Sequence, residues 1–384
     1  MMQKVGICAC YNTKNYGSML QCMATQIVIN KMGYESEFII YKKKVNATYI
    51  FQQIPRLFNY AFVYEKSLGV KKRIELSKRS EIKKKNELRD KAFERFKNTY
   101  YGKMSETYYG YEELKANAEK YDTVLVGSDQ LWSPAGLATN FYNLMFVPES
   151  VNKVSYATSF GVSKIPFFQK NRTRQFLLRI NSLSVRENSG ARIVKMVSGR
   201  DVEIVVDPTL LLNCNQWDEL IPLRRIIDEP YLFCYFLGEK EEHRKLAKQL
   251  SHDLGLKIVT VPFLDTFVKC DVNFGDYQLF DVGPDDFVNL IRCAEYILTD
   301  SFHGSVFSML YHKYFIVLSR YSSGINSRNS RIDSLLEQVG LEKRHISKRL
   351  TMEMLDNIDY STVDNKLEAL RRKSLDFLSD ALSK

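Results

Sequence analysis

His303 lies in Thr299-Asp300-Ser301-Phe302-His303-Gly304-Ser305, directly after the apolar run 296–298 and where a helical pattern begins. A second apolar run, Tyr314–Leu318, follows that helix. Strand, turn, helix and strand make a βαβ unit, and its strand-to-helix turn is where open α/β sheets hold ligands. Unpaired N–H groups and partial positive charge at the helix N-terminus attract anions there. An imidazole beside them serves as a donor or as an acid/base. Asp300 or Ser301 has the side chain to cap the helix. Read locally, His303 also suits a satisfied core histidine. His312, next to Lys313 near the helix end, complements the helix dipole and is given no catalytic role.

Four further segments carry candidate groups. Gly127-Ser128-Asp129-Gln130-Leu131-Trp132 delivers an acid, an amide and one of two tryptophans into a turn. Either Asp129 or Ser128 caps the turn and Trp132 packs in the core, or Asp129 accepts hydrogen bonds from acceptor hydroxyls and Trp132 stacks on a sugar. Ser184-Val185-Arg186-Glu187 puts a guanidinium after a short apolar run. That group suits bidentate binding of carboxylate or phosphate, or an ion pair with a nearby acid. Asp207-Pro208-Thr209 reads as a turn cap. The first loop, Asn12-Thr13-Lys14-Asn15-Tyr16-Gly17-Ser18, lacks G-x-G-x-x-G, so dinucleotide binding is unsupported; Ser18 is placed to cap the helix after it.

These residues need sheet edges to hold them, and the chain supplies two series. Apolar runs at 4–10, 37–41, Thr123–Val126, 153–157, 183–185 and 203–206 alternate with helical stretches, one of them 18–31 with Gly33 as its stop. After a break at 212–229, runs at 231–236, Lys257–Thr260 and 296–298 resume the alternation, with a helix at 241–254. A discontinuous apolar stripe predicts a helical tail over 352–382. The expected architecture is α/β, two Rossmann-like domains facing a cleft. Their bounds are 1–213, including a basic helical excursion at about 58–100, then 214–345, then a helical tail at 346–384.

Composition narrows the function classes. The 384 residues exceed one typical core. No apolar run approaches the ~18–20 residues that span a bilayer. The N-terminus enters a strand pattern at once, without signal-peptide architecture, so a cytoplasmic protein is expected. Seven cysteines without C-x-x-C spacing read as reduced structural thiols rather than metal ligands. The net charge of +10 is concentrated at 66–97, where thirteen Lys/Arg face five Asp/Glu. With the aromatic cluster 58–64 beside it, this segment is either a solvated helical excursion or a basic face on an anionic membrane or an acidic, lipid-linked acceptor. Nucleic acid is disfavoured, because no recognised motif accompanies the charge.

Taken in order, six segments resemble the polysaccharide pyruvyl transferase family. They are Asn15-Tyr16-Gly17-Ser18 with Gln21, Val126 to Trp132, Ser155-Tyr156-Ala157-Thr158-Ser159-Phe160-Gly161, Ser184 to Glu187, Val206 to Leu211, and Thr299 to Ser305. The resemblance runs from the N-terminus to Arg331. It implies a fold similar to the GT-B glycosyltransferases, with the acceptor on the first domain and the donor on the second. It also implies transfer of a pyruvyl group from phosphoenolpyruvate to sugar hydroxyls as a ketal, with no cofactor and no metal. Carried over residue by residue, it makes His303 and Arg186 donor ligands. The chemistry of an anionic donor adds Ser301, Gly304 and Ser305 at the helix start. Asn15, Tyr16, Gly17, Asp129, Gln130 and Trp132 are assigned to the acceptor, and Asp129 to its deprotonation or positioning. The sugar acceptor belongs to a polysaccharide or its lipid-linked precursor, and contact with an anionic membrane through 66–97 is the accompanying expectation. Two other classes share the cleft: a GT-B nucleotide-sugar glycosyltransferase and a non-catalytic anion- or sugar-binding module.

Overall fold

The computed structural model describes residues 2–44, 67, 79–134, 140–320, 330–346 and 357–384. The aromatic cluster 58–64 and most of the basic run before residue 79 lie outside the described residues. So does the start of the expected tail helix, at 352–356.

The first domain runs β1 (Lys4–Cys8), α1 (Tyr16–Lys31), β2 (Glu35–Lys42), α2 (Ser80–Tyr100), β3 (Met104–Tyr109), α3 (Tyr111–Ala116) and β4 (Thr123–Val126). It continues through β5 (Asn152–Thr158), α4 (Lys170–Arg179), β6 (Ser182–Val185), α5 (Asn188–Ser198) and β7 (Glu203–Ile204). After the linking helix α6 (Cys214–Leu220) come β8 (Tyr231–Tyr235), α7 (Glu241–Leu254), β9 (Lys257–Thr260), β10 (Tyr277–Gln278), α8 (Pro284–Cys293) and β11 (Tyr296–Thr299). The second domain closes with α9 (Phe302–Leu310), β12 (Tyr314–Leu318), α10 (Ser330–Val339) and β13 (His345–Ile346), followed by α11 (Tyr360–Leu382).

Both sheets are parallel. Their orders are β3-β2-β1-β4-β5-β6-β7 and β10-β9-β8-β11-β12-β13. Central strands such as β4 and β8 are buried at every position, which is why they read as unbroken apolar runs rather than alternating ones. The strand order reverses between β1 and β4 in one sheet and between β8 and β11 in the other. At those switch points the loops part and leave a crevice.

α1 lies between the two layers. It is buried from Tyr16 to Gln26, and so reads as apolar nearly all round rather than amphipathic. Tyr16 stacks on Phe287 at 5.0 Å and meets Phe93 at 4.9 Å and Tyr235 at 5.8 Å, so aromatic rings from both domains close the interface.

α2 is the described part of the basic excursion, and it straps the domains together. Arg89 pairs with Asp265 at 2.7 Å and Arg95 with Asp281 at 3.1 Å, while Lys85 sits 4.3 Å from the ring centre of Phe280. α11 returns to the first domain: Ser374 Oγ accepts from Val206 N–H at 3.0 Å, and Arg371 Nε donates to the Leu210 carbonyl at 2.8 Å. The tail thus packs back onto the first sheet instead of standing apart. All seven cysteines are unpaired thiols. Among the described residues no helix is long and apolar enough to cross a membrane.

Candidate active site

Both switch points open on one cavity of about 320 Å³. The first domain contributes Asn15, Ser18, Asp129 and Gln130 to its wall, and the second Ser301, His303, Arg320 and Arg331.

Local chemistry sets up the second-domain wall. Ser301 caps α9 by accepting from Gly304 N–H at 3.3 Å, which fixes where the helix begins and puts His303 in its first turn. Asp300 turns the other way. Its carboxylate accepts from Leu237 N–H at 2.7 Å and Gly238 N–H at 2.8 Å, tying the β8 loop to the β11 loop. Gly304 is held tight against Thr299, and Ser305 donates to the Ser301 and Phe302 carbonyls. These two residues therefore build the turn and do not face the cavity, which corrects their expected place as donor ligands.

The first turns of α1 and α9 meet. A Cβ on Gly17 would lie 1.9 Å from Nδ1 of His303, so only glycine lets the imidazole sit there. The Gly17→Ala variant should therefore lose about 1–3 kcal/mol of stability from overpacking and, where it folds, at least ~10²-fold in turnover, the scale of loss when a reacting group is misplaced by about 1 Å. Wild-type turnover by a folded Gly17→Ala protein would show that the contact carries no function.

The other edge of His303 faces a buried ionic cluster. Nε2 lies 3.5 Å from Asp207 Oδ1 and has no hydrogen-bond partner. Asp207 also accepts from Arg186 Nη1 at 2.5 Å, Ser128 Oγ at 2.9 Å and Thr209 Oγ1 at 2.7 Å. Burial alone would raise its pKa, but the charges of His303 and Arg186, with the Thr209 hydroxyl, hold it well below the usual carboxylate range. Asp207 does cap its turn, as its local pattern predicts. It is also the hub joining the arginine of β6 to the histidine of α9.

Arg186 is 5% exposed and lies one layer behind the cavity wall, with its guanidinium carbon 4.7 Å from the centre of the Phe302 ring. Nη2 is 3.9 Å from Asp129 Oδ1, and Nε and Nη2 have no hydrogen-bond partner. The expected donor clamp is thus already paired through one nitrogen, and its other two are buried without a hydrogen-bond partner, which takes it off the cavity wall. The cations on the wall itself are Arg320, held by the Asp300 carbonyl at 2.7 Å, and Arg331. Arg331 approaches Phe302 from another side, 5.8 Å from its centre. Burial, reinforced by nearby Arg186, pushes its pKa down to about 10, and it stays cationic at neutral pH.

Asp129 takes a left-handed backbone (φ 86°), unusual for a residue with a side chain. Its Oδ2 accepts from Ser18 Oγ at 2.5 Å and its Oδ1 from Gln130 N–H at 2.8 Å. Burial pushes its pKa up, yet Arg186 and Arg331 outweigh that and lower it overall. Ser18 therefore serves Asp129, while the cap of α1 is Asn15, which accepts from Ser18 N–H at 3.0 Å.

Two expected acceptor residues are elsewhere. Trp132 is 0% exposed, packed on Phe160 and Phe176, so the core reading of this residue replaces the sugar-stacking one. Tyr16 belongs to the interdomain aromatic group. Arg320, Arg331 and Asp207 were not assigned to the site from sequence. Nothing in their local spacing marks them, since each acquires its role from partners brought in by the tertiary fold. A roomier hollow of about 500 Å³ lies between the start of α2 and residues 262–280, away from this cluster.

A family model described as Polysaccharide pyruvyl transferase matches residues 15–323. Among solved structures, a UDP-GlcNAc 2-epimerase from Methanocaldococcus jannaschii is similar with a TM-score of 0.51 at 10% identity, covering 96% of this chain and 92% of that one. A putative UDP-N-acetylglucosamine 2-epimerase from Listeria monocytogenes has a TM-score of 0.50 at 9% identity, covering 98% and 90%. These likenesses show the fold, two Rossmann-like domains in a GT-B-like arrangement. No curated protein matches the chain.

Proposed function

Since the chain belongs to the polysaccharide pyruvyl transferase family, we propose that it transfers the pyruvyl group of phosphoenolpyruvate to two hydroxyls of a sugar in a polysaccharide or its lipid-linked precursor. The observation that carries this reading is the pairing of cations and a helix N-terminus on one wall with a carboxylate on the other. A small polyanionic donor needs the first; a neutral polyhydroxy acceptor needs the second.

In this scheme the donor lies against Arg320, Arg331 and the first turn of α9, with Arg186 behind Phe302 adding positive charge to that side without touching the donor. His303 gives a proton to the methylene carbon of the enol, and the adjacent carbon becomes cationic. A sugar hydroxyl adds there and passes its proton to the imidazole that has just lost one. The carbon–oxygen bond to phosphate then breaks, and the second hydroxyl closes the ketal as its proton leaves on the departing inorganic phosphate. Fixed guanidinium and N–H groups stabilise the departing phosphate without reorganising. Asp207 keeps the imidazole aligned. Asp129, held ionised, accepts a hydrogen bond from the attacking hydroxyl; its lowered pKa suits positioning better than storing a proton.

The test is mass spectrometry of candidate glycans incubated with protein and phosphoenolpyruvate, alongside assay of released phosphate. A pyruvate ketal on the glycan with matching phosphate is the expected result. Thermal stabilisation by uridine or guanosine diphosphate sugars, with none by phosphoenolpyruvate, would sink the proposal in favour of glycosyl transfer.

A further inference from the structure

Cys10 lines two hollows at once. One is the cavity just described. The other, of about 210 Å³, lies on the first-domain side, where the loops after β1 and β2 open at the sheet edge, with Tyr11, Tyr41, Phe141 and Tyr142 on its walls.

We propose that this second hollow seats one sugar ring of the acceptor, stacked on aromatic faces and with its reactive hydroxyls pointing past Cys10 toward Asp129. The inference deepens the transfer reading above and rests on it for the word acceptor.

The walls have the chemistry a pyranose asks for. Tyr41 stacks on the buried Phe141 at 5.3 Å and Phe141 meets Tyr142 at 5.0 Å, so Phe141 backs a wall whose half-buried rings are Tyr11, Tyr41 and Tyr142. A sugar ring buries an apolar C–H face on such a surface and turns its hydroxyls to the rim, where the Asn12 and Thr13 side chains line the hollow. The volume falls below the ~300–1,000 Å³ of pockets for drug-sized ligands, so one ring fits and an oligosaccharide does not. Between the two hollows the Cys10 sulfur lies 3.9 Å from the Tyr142 hydroxyl, and burial pushes its thiol up to about 12; Lys43 adds a cation to the wall of the smaller hollow.

Trp132 now acquires a purpose its burial seemed to deny. Its indole N–H donates to the Tyr142 carbonyl at 3.0 Å. It is a positioning residue, setting the aromatic wall from behind.

Saturation-transfer NMR with methyl glycosides of glucose, galactose, mannose, N-acetylglucosamine and N-acetylmannosamine tests the proposal on the full chain. At least one glycoside should receive saturation on its ring C–H protons. The Tyr41→Leu and Tyr11→Leu variants, which keep bulk but remove the aromatic face, should bind it about 3–10-fold more weakly. Thermal stabilisation by phosphoenolpyruvate, read on the same samples, reports the donor side separately. No transfer to any glycoside in the wild type overturns the proposal, as does unchanged binding by both folded variants. Glycoside binding lost in the variants, but without phosphate release from phosphoenolpyruvate in the wild type, upholds the sugar seat and overturns the transfer reaction instead.

Discussion

The His303→Ala protein should release phosphate from phosphoenolpyruvate about 10²–10⁴-fold more slowly than wild type with acceptor present, the usual worth of a positioned acid or base. The expectation rests on geometry. The imidazole is fixed over Gly17, aligned by Asp207 and set in the first turn of α9, beside the cations of the cavity wall. His303→Gln separates its two possible duties. Glutamine keeps a hydrogen-bond donor but cannot deliver a proton at neutral pH, so it should be nearly as slow as alanine if the proton transfer is what matters. Near wild-type turnover by a folded His303→Ala protein would remove His303 from the mechanism.

Asp207→Asn should cost about 3–5 kcal/mol of folding stability at pH 7, because it leaves Arg186 and His303 facing each other in a buried space without their shared carboxylate. Urea unfolding measures this. The sign with pH follows from the lowered pKa. A carboxylate whose folded pKa lies below its unfolded value stabilises the fold fully above about pH 4, and that contribution fades as pH falls through the folded value. The gap between variant and wild type should therefore narrow toward pH 3. The double variant Arg186→Met/Asp207→Leu, with apolar groups of similar length, should recover much of the stability but no activity. A penalty under about 1 kcal/mol for Asp207→Asn would mean that the cluster is not the structural hub described above.

Much of this arrangement is legible in the sequence where local rules apply. β11, α9 and β12 stand out because buried parallel strands are continuous apolar runs and because Ser301 has cap chemistry; the same holds for β4, β8 and β9. Gly33 ends α1 in a left-handed conformation (φ 91°), as the pattern predicts. The strands β3, β10 and β13 escape notice, since they lie at sheet edges, where strands carry mixed polar residues and make few demands on composition. The site is only half legible for a related reason. A cap or a βα turn is visible within a few residues, whereas the link from Asp207 to His303 exists only after two domains close. Tyr16 and Trp132 show the converse: large aromatic residues in a ligand-like turn, taken up by packing that their neighbours in sequence do not reveal.

The return of α11 to the first domain has a consequence for how the protein is made. The strand-end segment around Asp207 leans on Ser374 and Arg371, which lie 168 and 161 residues downstream of their partners Val206 and Leu210. Ribosomes add about 5–20 residues per second. A first domain encoded early must therefore wait roughly 10–30 s before the helix that braces the segment around Asp207 leaves the exit tunnel. Until then the hub has no backing, so a chain interrupted before α11 would be left with a nearly complete sheet and an unfinished centre. Assembly of the charge cluster is in effect a report that translation has passed α11.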